Sequence, residues 1–96
     1  MRGKGLRNRV ASSSEEQLAF LDSWLKQWTV EREGWTIDRI ALRELYWAAC
    51  DEAGYPTPSD KTFAAMLHKL RPNVDEIIRS YSDGERIRLF SGLSFT

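Results

Sequence analysis

The stretch Ser59-Asp60-Lys61-Thr62-Phe63-Ala64-Ala65-Met66-Leu67-His68-Lys69-Leu70, together with the hairpin-like segment after it, decides the fold. Ser59 is a hydroxyl residue of the kind that caps a helix, and Phe63, Met66, Leu67 and Leu70 recur at three- and four-residue spacing, so one face of a helix is apolar. Pro72-Asn73 stops it. Two strand-like segments come next, Ile77-Ile78-Arg79-Ser80-Tyr81 and Arg86-Ile87-Arg88-Leu89-Phe90, separated by a turn at Asp83-Gly84. Asp-Gly favours a two-residue type I′ turn. That register sets Ser82 opposite Glu85, Tyr81 opposite Arg86, Ser80 opposite Ile87, Arg79 opposite Arg88 and Ile78 opposite Leu89. Cross-strand partners share a face. The hairpin is therefore expected to carry Arg79, Tyr81, Arg86 and Arg88 on one side and Ile78, Ile87 and Leu89 on the other.

Working outward, Asp38 or Ile40 opens a helix to about Ala53, with Leu42, Leu45, Tyr46, Ala49, Cys50 and Ala53 on its apolar face. Trp47 falls on the polar side. Gly54 suits the position after the helix, and Tyr55-Pro56-Thr57-Pro58 cannot continue it. Further upstream, Ser12-Ser13-Ser14 before Glu15-Glu16-Gln17 is a capping-box pattern that leaves open which serine caps. The helix it begins runs to about Glu31, with Leu18, Phe20, Leu21, Trp24, Leu25 and Trp28 on one stripe. Gly34 is expected to end it, and Trp35-Thr36-Ile37 reads as a short strand. Residues 1–13 hold Gly, Arg and Ser without apolar periodicity and read as a flexible basic arm; residues 14–96 read as one domain. The fold class is then mainly α with a small β-hairpin.

Ninety-six residues, 42% hydrophobic and 29% charged, describe a soluble globular chain. No apolar run nears the ~20 residues of a membrane span. A single cysteine excludes an intrachain disulfide, and one Cys with one His leaves little for a metal site. Formal net charge is zero, but it is unevenly spread: +4 over residues 1–13, −3 over 14–34, −2 over 35–58 and +1 over 59–96. Patches rather than the sum would set what this chain binds.

The order helix, short strand, helix, helix, hairpin resembles winged-helix domains of two groups. One is the C-terminal domain of phage and plasmid primase-helicases, including the pox-virus-type helicase-primases; the other is the DNA-binding domain of regulatory-factor-X proteins. The resemblance covers roughly residues 15–93. It rests on Phe20-Leu21, on Leu42, Tyr46 and Cys50, on Pro56 and Pro58, on Phe63, Leu67 and Leu70, and on Phe90-Ser91-Gly92-Leu93 after a wing with scattered arginines. Two positions depart: Ala64, where these families place Gly, and Arg43, where they tend to have Tyr. The resemblance implies a winged helix-turn-helix that binds double-stranded DNA in phage or plasmid replication or transcription control, inside the cell; 96 residues hold nothing of an ATPase or primase core.

The residues themselves point the same way. The third helix exposes Lys61, Thr62, His68, Lys69 and Arg71, and the wing presents Arg79, Tyr81, Arg86 and Arg88. Such a set suits phosphate and base-edge contact; its bland reading is a solvated face with weak surface ion pairs. Arg2, Lys4, Arg7 and Arg9 are candidate arm contacts to a groove or backbone. No nucleophile with a spaced base, phosphate-binding loop, paired carboxylates or ligand cluster is present, so neither an enzyme nor a cofactor or metal is expected. The alternative is a winged helix that serves as a protein-interaction or dimerisation module, docking on a helicase or primase or on a second copy, with Trp47 as its interface residue.

Overall fold

The computed structural model describes residues 13–96. The elements run in the order α1 (Ser14–Trp28), β1 (Thr29–Asp38), α2 (Arg39–Ala53), α3 (Asp60–Leu70), β2 (Asp75–Ser80) and β3 (Arg86–Phe95). Among the described residues three helices pack on one face of a three-stranded antiparallel sheet of order β1-β3-β2. Strand content exceeds a hairpin alone, because β3 is ten residues long and pairs on both sides.

Ser13 is the residue that caps α1. Its hydroxyl accepts from the Glu16 amide at 3.1 Å, and Glu16 Oε1 accepts from the Ser13 amide at 3.1 Å. Ser13 therefore belongs to the domain rather than to the arm. Asp38 caps α2 through the Ala41 amide, Gly54 closes it at φ 83°, and Ser59 caps α3 through the Thr62 amide.

Helix α1 ends earlier than its apolar spacing suggests, at Trp28 rather than near Glu31. Thr29 and Val30 are β-branched and disfavour the helix. Thr29 Oγ1 donates to the Leu25 carbonyl at 2.7 Å, and residues 29–31 pair with Phe95, Ser94 and Leu93. The pairing resumes at Thr36 opposite Ser91, so Arg32–Trp35 form an excursion opposite Gly92 alone. Gly34, at φ 86°, lies in that excursion and is not a helix terminator. Trp35-Thr36-Ile37 is strand, as expected.

The core is a run of aromatic rings crossing from helix to sheet. Trp24 lies 5.3 Å from Tyr46, Tyr46 lies 5.5 Å from Phe63, and Phe63 lies 6.2 Å from Phe90. Leu21, Leu25, Leu42, Cys50, Leu67 and Leu93 close around them, fully buried. Burial pushes the Tyr46 hydroxyl and the Cys50 thiol above their ordinary pKa values, so Cys50 is an inert packing residue.

The hairpin register differs by one residue from the expected one. Tyr81 closes the turn with Glu85, through a 2.8 Å bond from the Tyr81 amide to the Glu85 carbonyl, and the Gly84 amide donates to the Tyr81 carbonyl. The loop is therefore three residues, Ser82-Asp83-Gly84. A two-residue type I′ turn demands positive φ of both Asp83 and Gly84, whereas this loop places the left-handed residue at Gly84, where φ is 88°. It also pairs Ile78 with Arg88 and Arg79 with Ile87, which avoids two guanidinium groups directly opposite each other. Gly84→Ala is expected to cost about 1 kcal/mol, because nothing crowds a Cβ there and only the backbone conformation resists it. A lower urea midpoint with an unchanged m-value would be the readout.

Candidate nucleic-acid interface

A one-residue slip moves every side chain of one strand to the other face relative to its partner. In the observed register Ile77, Arg79, Ile87 and Leu89 share a face, while Glu76, Ile78, Arg86, Arg88 and Phe90 share the opposite one. Phe90 is fully buried against α3, 5.8 Å from the His68 ring. Arg88 and Arg86, two and four residues back along β3, therefore look toward α3. Arg79 and Tyr81 do not: both are exposed, but on the far face. The expected four-residue cationic face is thus two arginines, and Ile78 and Leu89, expected together on the apolar side, are split. Leu89 is still buried, on the face away from Phe90.

On α3, burial of Phe63, Ala64 and Leu67 turns Lys61 and His68 toward the hairpin side and Thr62, Ala65 and Lys69 toward α1. Thr62 and Lys69 line a shallow cleft with Ser14, Gln17 and Leu18. His68 is half-buried: Nδ1 lies 3.2 Å from the Val74 carbonyl, and Nε2 lies 3.5 Å from Glu76. Arg71 is not available. Its guanidinium donates to Asp22 at 2.8 Å and to the Leu70 carbonyl, and its side chain is 13% exposed. It ties the end of α3 to α1, and that hydrogen bond holds the Asp22 carboxyl below the usual carboxylate range. Arg2, Lys4, Arg7 and Arg9 lie outside the described residues.

An ion cluster that the linear pattern did not reveal holds the interface in shape. Arg39, the first residue of α2, has a side chain only 8% exposed. It forks onto Asp60 through Nε and Nη2, at 3.3 and 2.8 Å, and its Nη1 donates to Glu76. Arg43 adds a 3.0 Å bond to the same Asp60. The Arg39 hydrogen bond, ahead of that from Arg43, lowers the Asp60 pKa, and burial opposes the shift only in part. Glu76 in turn faces His68 and, at 3.9 Å, Arg88. The start of α3, the start of α2 and the inner face of the hairpin are thus fastened together. Among the described residues Lys61, Lys69, Arg79 and Arg86 form no ion pair, and Arg88 is 60% exposed with one long contact.

Trp47, on the polar side of α2, is half-buried against the core, with the Arg43 guanidinium 4.3 Å from its ring centroid. Trp28 and Leu45, both expected in the core, are instead 51% and 52% exposed. Among the described residues no helix is long and apolar enough to cross a membrane, and no group of His, Cys, Asp and Glu is arranged to hold a metal ion. Comparison with protein-family models and with curated proteins finds no match.

Proposed function

We propose that the domain is a winged helix that binds double-stranded DNA without catalysis, of the kind used in phage or plasmid replication or transcription control. In this reading α3 lies on the groove, with Lys61, Thr62 and Lys69 at bases or phosphates, and Arg86 and Arg88 hold the neighbouring backbone. The observation that carries it is the juxtaposition of α3's exposed arc with the inner face of the hairpin, where the cations are left largely without acidic partners. Glu76, the acid at the centre, is already engaged by buried Arg39, which leaves less negative charge to oppose a phosphate. The acids at the hairpin tip, Asp83 and Glu85, argue against deep insertion of the tip. Neutral net charge argues for modest affinity by the isolated domain.

The test is duplex binding measured at several salt concentrations. Four phosphate contacts correspond to a log–log salt slope of roughly −3 to −4. Lys61→Ala and Arg88→Ala are each expected to reduce that slope by about one, whereas Arg79→Ala, on the other face, leaves it unchanged. No binding at low salt, or an Arg79→Ala effect equal to that of Arg88→Ala, would refute the placement.

A further inference from the structure

Helices α1 and α2 leave an apolar groove between them that no described element fills. One wall is Phe20, Trp24 and Trp28, at four-residue spacing on α1; the other is the α2 face running from Leu45 through Ala48 and Ala49, and Phe95 also lines the groove. Its volume is about 840 Å³. Trp28, Leu45 and Phe95 stand 51%, 52% and 42% exposed along it. Three large apolar side chains on one continuous concave surface mark an interaction site rather than scattered surface residues. The charged residues of the lining are Asp51 and Glu52, and among the described residues no Lys or Arg joins them. None of the lining belongs to α3 or to the β2–β3 turn, so the groove is separate from the proposed DNA face.

We infer that this groove is a docking site for about two turns of a cationic amphipathic helix of a partner protein. Phe20 to Trp28 gives ~12 Å of helix rise, which matches apolar anchors at i, i+3 or i+4, and i+7 on an incoming helix. The small side chains of Ala48 and Ala49 let that helix approach closely, while Asp51 and Glu52 meet flanking Lys or Arg and select against an acidic one. A second copy fits less well. Three half-exposed side chains offer roughly a few hundred Å², below the ~800 Å² per partner of a stable interface.

Two synthetic amphipathic helices with identical leucine anchors, one flanked by Lys and one by Glu, test the inference when titrated calorimetrically into the whole chain. The Lys peptide is expected to bind at least about tenfold more tightly than the Glu peptide. Leu45→Ser should weaken it about tenfold, and Asp51→Lys with Glu52→Lys should invert the preference between the two peptides. Circular dichroism confirms that these surface variants remain folded, and duplex binding by Leu45→Ser stays at its starting level. Equal binding of the two peptides, or indifference to Leu45→Ser, overturns the proposal. So does a concentration-dependent dimer abolished by Leu45→Ser, or competition by a peptide of residues 1–12 that binds the groove more tightly than the Lys helix.

Discussion

Phe63→Ala is expected to remove roughly half of the domain's folding stability. Phe63 is fully buried and sits between Tyr46 of α2 and Phe90 of β3, so it joins the helical layer to the central strand. Removing a ring from such a site costs about 3–5 kcal/mol, the lost transfer energy plus the cavity left behind. A domain of this size holds roughly 5–10 kcal/mol in total. Collapse around the hole is limited, because its neighbours are rings and β-strand backbone that cannot shift without breaking other contacts. Urea unfolding at low temperature would show the midpoint falling by roughly half. Phe63→Leu refills part of the cavity and should recover most of that loss. A fall of less than about 1 kcal/mol for the alanine variant would mean that the aromatic run is not what holds the layers together.

How far the pattern of residues foretold this structure depends on where each determinant lies in the chain. The bounds of α2 and α3 were legible because their caps are local: Asp38, Gly54 and Ser59 sit within four residues of the groups they satisfy. The end of α1 was not, because Trp28 continues the helical spacing while Thr29–Glu31 are claimed by β3 more than sixty residues away. The hairpin was recognisable, but Asp83-Gly84 fits either a two- or a three-residue loop, and only the packed sheet chooses between them. That choice reassigns Arg79. Exposure of Trp28 and Leu45 had a similar origin: an apolar arc on a helical wheel says which side faces inward, not whether a small domain has enough partners to cover all of it. Arg71 read as a groove-facing cation because its partner, Asp22, lies 49 positions upstream.

Arg39 is the clearest example of such long-range determination, and its replacement is the second large effect. At the start of a helix an arginine reads as a solvated cation, yet this one is buried with partners 21 and 37 positions away. Arg39→Met keeps the aliphatic stem but takes from Asp60 its forked partner, leaving it Arg43, and leaves Glu76 only the longer contacts with His68 and Arg88. Breaking a buried pair costs about 3–5 kcal/mol when the remaining charge is trapped. Asp60 and Glu76 are 41% and 27% exposed, so water recovers part of that, and a loss of about 2–3 kcal/mol is expected in urea titrations. Arg39→Lys keeps the charge without the fork and should fall between the two. The pH dependence separates charge from packing. Asp60 is depressed in the folded state by Arg39, so its contribution is complete above the ordinary carboxylate pKa of about 3.9 and fades as pH falls through its lower folded value. Stability of the parent chain should therefore drop on acidification below about pH 4, and Arg39→Met should flatten that drop. If the variant loses its stability but keeps the full acid dependence, the cost is one of packing, and the ion cluster does not hold α2, α3 and the hairpin together.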